Sequence, residues 1–233
     1  MAAVAHPVPS IDHLVVMASN LAQGVAWCEA TLGVTPGPGG EHPLMGTHNR
    51  LLKIATAEHR TAYLEIIAIN PIALPSIPTG ASRWFDMDDL ALQVHVAQHG
   101  PTLTHFVAGV QDLAAALAAL AGQGLDRGAI VQASRATPGG LLQWQISVRT
   151  DGQRLFDGCL PTLIQWGDTH PTDAMLASGI ALQGLQVEHP QAEILVSAYN
   201  TLGLYGLVTP TRGPARISAH LQTPKGLVKI HTP

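Results

Sequence analysis

Apolar and polar positions alternate near the start of the chain in a pattern that predicts a strand, and then recur at helical spacing. Residues 11–17, IDHLVVM, have the strand pattern, and the apolar residues that follow, up to Leu32, keep the period of a helix. Asn20 is a suitable N-cap for this helix and Gly33 a suitable stop. We therefore predict a first βαβββ module over residues 8–70, and three of its four strands are assigned, to 11–17, 49–54 and 62–69.

The same pattern recurs when 92 is added to each position. His13 then corresponds to His105 and Asn20 to Asp112, and a second apolar stripe follows at helical spacing. A third copy emerges on adding 170, with strand candidates at 205–210, 215–222 and 226–231. Helical stripes match one another by chance because all helices share one period, but here the caps and the strand order match as well. The predicted fold class is α+β, and the chain is predicted to form one compact unit of repeated βαβββ modules. The first module is followed by a connector with a short helix (71–101), a second module (102–167) and a third, βαβββ-like module (180–232).

Composition narrows the class of partner. Hydrophobic residues make up 46% and charged residues 12% of the chain, and the formal net charge is −4 with no run of Lys or Arg. We therefore expect no nucleic acid and no membrane surface as the main partner. The N-terminus lacks the basic start and the apolar core of a signal peptide, which predicts a cytoplasmic protein. Cys28 and Cys159 fit two buried thiols better than a disulfide.

Several segments together carry a resemblance to a known superfamily. They are Asp12-His13-Leu14-Val15, the stretch GGEHPLMGTHNRLLKI (39–54), Tyr63-Leu64-Glu65-Ile66 and LPTLIQWG (160–167). With these motifs the chain resembles the vicinal-oxygen-chelate superfamily, and within it the glyoxalase-like domain group that includes glyoxalases, bleomycin-resistance proteins and extradiol dioxygenases. The resemblance spans about residues 10–230. It implies that two modules form a half-open curved barrel around a divalent metal ion.

The resemblance also implies where metal ligands would stand. The first and fourth strands of each paired module supply them, which points to His13 and Glu65 in the first module and to His105 and Gln165 in the second. Imidazole and carboxylate ligands suit Zn, Mn, Fe or Ni, and such a centre can chelate two neighbouring oxygens of a substrate. The alternative is that His13 and Glu65 line a polar pocket and bind the ligand directly, without a metal.

The third module departs from the ligand pattern. It has Gln183 and Lys229 at the corresponding positions, and a protonated Lys is no ligand. A structural role is predicted for it, and since an unpaired module needs a partner surface, so is self-association as a homodimer. A pairing of the first and third modules stays open, in which case His105 would lie outside the pocket.

Further polar and aromatic residues are candidates for the rim of the pocket. His42, His48 and Asn49 would bind a polar or anionic part of the substrate, although turn chemistry in this Gly-rich segment explains them too. Trp84 and Phe85 would either cover the mouth of the pocket or anchor the packing of the connector.

Two functions from different classes follow. One is a metal-dependent lyase, isomerase or dioxygenase acting on a small substrate with vicinal oxygens, with Glu65 as metal ligand and general base. The other is a non-catalytic, antibiotic-type binding protein that uses the same cleft, since fold does not choose between them. The chain has no nucleophile elbow, Walker loop, CxxC or GxGxxG after a strand, which makes hydrolases, kinases and dinucleotide-dependent dehydrogenases poor candidates.

Overall fold

The computed structural model describes residues 9–74, 77–137 and 140–233, in which the first two modules follow the predicted order of elements. The N-terminal residues from which the absence of a signal peptide was predicted, and the first residue of the first module, lie outside these ranges. The first module consists of β1 (Ser10–Met17), α1 (Leu21–Leu32), β2 (Glu41–His42), β3 (Thr47–Lys53) and β4 (Tyr63–Ile69). The connector helix is α2 (Leu90–His99). The second module consists of β5 (Thr102–Gly109), α3 (Leu113–Ala121), β6 (Ala129–Thr137), β7 (Gly140–Val148) and β8 (Thr162–Trp166).

Local chemistry explains where the first helix begins and ends. The Asn20 side chain accepts a hydrogen bond from the Gln23 backbone N–H, which satisfies one of the free donors of the first turn. Gly33 ends α1 with a φ of 81°, a conformation that glycine adopts without steric cost. Asp112 caps α3 in the same manner, through the Ala115 N–H. The predicted caps are thus the caps of the structure.

One sheet of eight strands joins the first two modules, in the order β2-β3-β4-β1-β5-β8-β7-β6. The first strands of the two modules, β1 and β5, pair antiparallel at its centre, while β1 pairs parallel with β4 and β5 with β8. The sheet curls so strongly that a side chain of one edge reaches the other, since a methyl group on Gly40 beside β2 would lie 1.9 Å from Nη1 of Arg135 on β6. The predicted half-open barrel of the first and second modules is confirmed.

The two faces of the sheet have different partners because successive strand residues point to opposite sides. Leu14 and Val16 of β1 face a large core, while Val15 and Met17 face a smaller apolar cluster inside the curve. The large core also takes in the apolar stripes of the helices, among them Cys28, Leu32, Leu113 and Leu120. The helices therefore cover the convex face and leave the concave face to a pocket.

The third module packs on the convex side. After α4 (Pro171–Ala174) it contains β9 (Ala181–Glu188), α5 (Ala192–Leu202), β10 (Arg216–Thr223) and β11 (Gly226–His231), and its three strands form a separate sheet. The strand predicted at 205–210 is absent, and turns occupy these positions. Leu182, Leu195 and Ile217 lie in the same core as the helices of the other modules. Because this module already buries its apolar face, it requires no second copy, and self-association stays a prediction.

Among the described residues, every helix falls short of the length and hydrophobicity that crossing a bilayer would take. Cys28 and Cys159 are both free and buried, as predicted.

Candidate active site

A pocket lies inside the curve of the sheet, between the two modules. Its cavity volume is about 40 Å³, enough for only a few atoms while the rim keeps this conformation. Its polar side chains come mainly from the first module and its aromatic side chains mainly from the connector and the second. The polar and aromatic lining residues are His13, His42, Asn49, Tyr63, Glu65 and Arg135, and Trp84, Phe85, Trp144 and Trp166.

A β-bulge in β1 places two neighbouring polar side chains together. The pairing with β5 shifts register between Ile11 and His13, so Asp12 has no partner residue in that ladder. A bulge re-aims a side chain, and here the Asp12 carboxylate reaches the His13 ring. His13 Nδ1 donates to Asp12 Oδ1 at 2.6 Å. This bond turns the other ring nitrogen, Nε2, towards the pocket.

Glu65 lies beside His13 on the neighbouring strand. Glu65 Oε2 is 3.7 Å from His13 Nε2, and both side chains are almost fully buried. Asn49 Nδ2 donates to the other carboxylate oxygen, Oε1, at 2.6 Å. The Asn49 bond fixes the orientation of the carboxylate and leaves Oε2 facing the imidazole. The structure thus brings together the imidazole and the carboxylate that the sequence pointed to in the first module.

Asp12 is a buried carboxylate with donors from three parts of the chain. Besides His13, it accepts hydrogen bonds at Oδ2 from Trp166 Nε1 at 2.8 Å and from His170 Nε2 at 3.0 Å. Burial by itself would raise the pKa of Asp12, but the electrostatic interaction with His170 and the hydrogen bonds from both imidazoles hold it well below its usual range. Asp12 therefore remains ionised and links the first strand, the eighth strand and the following connector.

In the second module, the place that corresponds to His13 and Glu65 is occupied by a buried, uncharged pair of residues, His105 and Thr162. In the first module Val15, two residues after His13, pairs with Glu65. In the second module Val107, two residues after His105, pairs with Thr162. Thr162 therefore occupies the position in the second module that Glu65 occupies in the first. His105 donates from Nδ1 to the Gly158 carbonyl at 2.9 Å, and its Nε2 accepts from the Thr162 N–H at 3.1 Å. Burial, aided by the charges of Arg127 and Arg154, lowers the pKa of His105 well below its usual value. No lone pair of this ring is left for a metal ion.

The prediction of Gln165 as a ligand is corrected by the strand register. Gln165 stands three residues after Thr162, and an odd shift along a strand turns a side chain to the opposite face. On that face the Gln165 side chain accepts a hydrogen bond from the Leu113 N–H at 2.8 Å, at the start of α3. Gln165 therefore supports a helix on the convex side and does not reach the pocket.

The residues that the structure describes do not fit the predicted metal centre. Only His13 and Glu65, of the four predicted ligands, lie close enough to share an ion, because His105 has both nitrogens engaged and Gln165 is on the other face. No group of three or more His, Cys, Asp or Glu in the described ranges could hold one. The donor set instead suits direct contact of His13 and Glu65 with a ligand, the alternative left open by the sequence.

Two of the three predicted substrate-binding residues line the pocket. Asn49 does so on β3, and His42 on β2, where Asn49 Nδ2 approaches His42 Nε2 at 3.4 Å. Burial lowers the pKa of His42 to about 4. The charge of Glu65 opposes this shift, and the charge of Arg135 reinforces it. His48 is next to Asn49 on one strand and so points to the other face, outside the pocket.

Trp84 and Phe85 line the pocket on a strained turn. From the sequence, these two residues would either cover the mouth of the pocket or anchor the connector. Phe85 and Asp86 have φ values of 59° and 53°, and Phe156 and Asp157 repeat this conformation with 51° and 53°. Such backbone costs about 1–3 kcal/mol per residue, and strained residues cluster at functional sites. Arg154 Nε donates to Asp86 Oδ2 at 2.9 Å and joins the two turns. The signal was in the sequence, since R-x-F-D occurs at both 83–86 and 154–157.

Four further residues of the site received no role from the sequence: Asp12, Tyr63, Arg135 and His170. Tyr63 stacks on His13 with ring centroids 4.5 Å apart, and burial together with the charges of Asp12 and Glu65 raises its pKa well above the usual value. Its hydroxyl therefore keeps its proton. The adjacency of Asp12 to His13 was a usable signal, whereas Arg135 and His170 reach the site only through the curl of the sheet.

The protein should lose stability as the pH falls from about 7 to about 4. His42 and His105 have depressed pKa values in the folded state, so over this range the unfolded chain binds more protons, and the free energy of unfolding falls by up to about 1.4 kcal/mol per pH unit for each group. Urea unfolding measured across this range should show a shallower slope for His42→Gln. His99→Gln, at an exposed position, is the control, and equal slopes for both variants would contradict the assignment.

Comparisons with known proteins agree with this architecture. A family model described as a glyoxalase-like domain matches residues 11–203. A solved structure of a hypothetical protein from Staphylococcus aureus is similar over 96% of this chain and 85% of its own, with a TM-score of 0.58 and 16% identity, and it shows that the fold recurs over nearly the whole chain.

Two methylmalonyl-CoA epimerases are among the other similar structures. The enzyme from Streptomyces coelicolor, in complex with 2-nitronate-propionyl-CoA, has 17% identity and a TM-score of 0.42 over 69% of this chain and 94% of its own. The enzyme from Mycobacterium tuberculosis has 14% identity and a TM-score of 0.39 over 74% of this chain and 97% of its own. No curated protein matches the chain.

Proposed function

The chain belongs to the glyoxalase-like domain family of the vicinal-oxygen-chelate superfamily, and on that premise we propose that it is an enzyme that moves a proton on a carbon next to a carbonyl group. The observation that carries the proposal is the buried pair of Glu65 Oε2 and His13 Nε2, 3.7 Å apart in the wall of a pocket. The reaction class is an isomerase or lyase acting on a small molecule with neighbouring oxygens. Dioxygenase chemistry is not proposed, since it needs a metal centre that this donor set does not supply.

The pair can act as general base and general acid in one step. Glu65 Oε2 takes the proton from the carbon, and the electron pair of the C–H bond moves to form an enolate. Protonated His13 donates its Nε2 proton to the enolate oxygen, which leaves a neutral imidazole and a protonated Glu65. Glu65 then returns its proton either to the neighbouring carbon, which gives an isomerisation, or to the same carbon after the enol has turned its other face to the carboxyl group, which gives an epimerisation. In the same step an enol hydroxyl gives its proton back to His13 Nε2, which restores the imidazolium and the carboxylate.

The surrounding residues prepare both groups for these roles. Asn49 holds Oε1 of Glu65 and so directs Oε2 at the substrate. Asp12 accepts from His13 Nδ1, which orients the ring and stabilises the imidazolium form. Tyr63 stacks on the imidazole and, together with the aromatic walls, excludes water from the pair. Water exclusion strengthens each of these electrostatic interactions.

A non-catalytic binding protein is the second candidate, and the aromatic walls favour it. Trp84, Trp144 and Trp166 line the pocket, and the rings of Trp144 and Trp166 lie 5.4 Å apart. Flat aromatic surfaces bind planar ligands whether or not chemistry follows. The two candidates differ in whether a bound carbon acid exchanges its proton.

Proton exchange with solvent tests the proposal without knowledge of the natural substrate. The protein, dialysed against a chelator, is incubated in deuterated water with pyruvate, hydroxypyruvate, hydroxyacetone and lactaldehyde, and loss of the carbon-bound proton signal is followed by NMR. We expect exchange at about 10²–10⁴ times the rate in buffer for at least one compound, because that is the range of general acid–base catalysis. Binding without exchange would favour the binding protein, and exchange that requires added metal would contradict the metal-free pair.

A further inference from the structure

Arg135 is a cation in the pocket without a carboxylate partner. It lies on β6, and no Asp or Glu of the described ranges forms an ion pair or hydrogen bond with it. The residues outside those ranges include neither Asp nor Glu. Arg83 and Arg154, by contrast, each pair with an acidic side chain. A guanidinium group that lines a pocket and lacks an internal counter-charge is ready to bind an anion from outside.

The Arg135 guanidinium rests against the backbone of Gly40, and hydrogen bonds through Asn49 connect Gly40 to Glu65, the proposed base. A methyl group on Gly40 would lie 1.9 Å from Arg135 Nη1, so a side chain there would displace the guanidinium. The Gly40 N–H donates to Asn49 Oδ1 at 2.7 Å, and Asn49 Nδ2 donates in turn to Glu65. The place of the cation is therefore set relative to the carboxylate that takes the proton.

Other groups of the pocket point to an acceptor-rich ligand. The indole N–H of Trp84 is buried and has no hydrogen-bond partner among the described residues, although such a donor usually finds one. His42 is neutral near neutral pH, because burial is the main cause that lowers its pKa to about 4, and so it adds no competing cation. Arg135 thus supplies the positive charge of the pocket that Trp84 also lines, and an oxygen anion would match both donors.

We infer that the substrate carries a carboxylate, which Arg135 binds, so that the proposed proton transfer takes place on a small 2-oxo or 2-hydroxy acid. This inference rests on the proposed function and names the class of its substrate. A planar guanidinium matches a carboxylate through two parallel hydrogen bonds. The small cavity limits the acid to a short carbon skeleton. A phosphate, with more charge and more acceptor oxygens, would call for further cationic donors.

Binding of a simple acid and its neutral analogue tests the inference. Calorimetry measures the affinity of the wild type, Arg135→Gln and Arg50→Gln for pyruvate, pyruvamide and inorganic phosphate. Arg50 is the matched control, because it is exposed on the outer face of β3 and its loss changes the net charge equally. We expect Arg135→Gln to weaken pyruvate binding about 10- to 100-fold, the value of a charge-assisted hydrogen-bond pair, and Arg50→Gln to leave it unchanged.

A second variant keeps the charge but moves it. Gly40→Ala should weaken pyruvate binding in the same direction, because the methyl group displaces the guanidinium, and circular dichroism verifies that both variants fold. Equal affinity of the wild type for pyruvate and pyruvamide, or equal effects of the two Arg variants, would overturn the inference. Phosphate binding as tight as pyruvate binding would overturn the assignment to a carboxylate.

The binding experiment also separates this inference from the proposed function. Binding is read without turnover, so Arg135-dependent binding of pyruvate without any proton exchange would refute the proposed function alone. Exchange with a binding affinity independent of Arg135 would refute the inference alone.

Discussion

Replacing Glu65 with Gln should lower the rate of carbon-proton exchange by about 10²–10⁴-fold and leave the fold intact. The amide has nearly the shape of the carboxylate and can still accept the hydrogen bond from Asn49 at one oxygen. It cannot take a proton, and general-base catalysis accounts for rate effects of this size. The measurement is the exchange rate in deuterated water, by NMR, for whichever carbon acid the wild type accepts.

Two further variants separate the role of the base from a general effect of charge. Glu65→Asp keeps a base but withdraws it by one methylene from His13, so we expect a rate between those of the wild type and Glu65→Gln. Glu193→Gln is the charge-matched control, since Glu193 is exposed on α5 in the third module. Exchange by Glu65→Gln within about threefold of the wild-type rate would refute Glu65 as the base.

Replacing Asp12 with Asn should have the largest effect on stability and a large effect on rate. Removing one member of a buried ion pair costs about 3–5 kcal/mol, because the other member is left buried without its counter-charge. The Asn side chain offers one acceptor oxygen and a donor amide, so it cannot serve the donors of His13, Trp166 and His170 together. Urea unfolding followed by tryptophan fluorescence should show a loss of about 3 kcal/mol in the free energy of unfolding.

The effect of Asp12→Asn on rate should show how the residue acts. Asp12 orients His13 and does not touch the substrate, so it is a positioning residue, and its loss should shift the pH profile of exchange as well as lower the rate. Asp168→Asn is the control, because Asp168 is exposed nearby in the chain, and it should change stability by no more than about 0.5 kcal/mol. A pH profile unchanged in Asp12→Asn would reduce Asp12 to a purely structural role.

Predictions from the sequence succeeded where the signal is local. The caps Asn20 and Asp112 lie where predicted, because a cap acts on backbone groups within one helical turn. Strand alternation similarly located β1, β3 and β4 of the first module. The prediction failed at 205–210, where apolar residues alternate with Gly and Pro and form turns instead of a strand.

The pairing register of the strands decided which of the predicted site residues lie in the pocket. A shift of three residues in β8 puts Thr162 opposite Val107 and turns Gln165 to the helix side, and nothing within the strand itself signals that shift. His48 could have been excluded from the sequence, because it neighbours Asn49 on one strand and only one of the two can face inward.

By itself, the sequence determined the order of the elements in the first two modules, the resemblance to the family, and the choice of His13 and Glu65 as residues of one pocket. These depend on periodicity, capping and motifs, which act between residues close together in the chain. Only the tertiary structure decided that Asp12 meets His170, that Arg135 reaches Gly40, and that His105 is closed off by Thr162. The bulge in β1, the pairing register and the curl of the sheet set these contacts, and each depends on packing between residues far apart in the sequence.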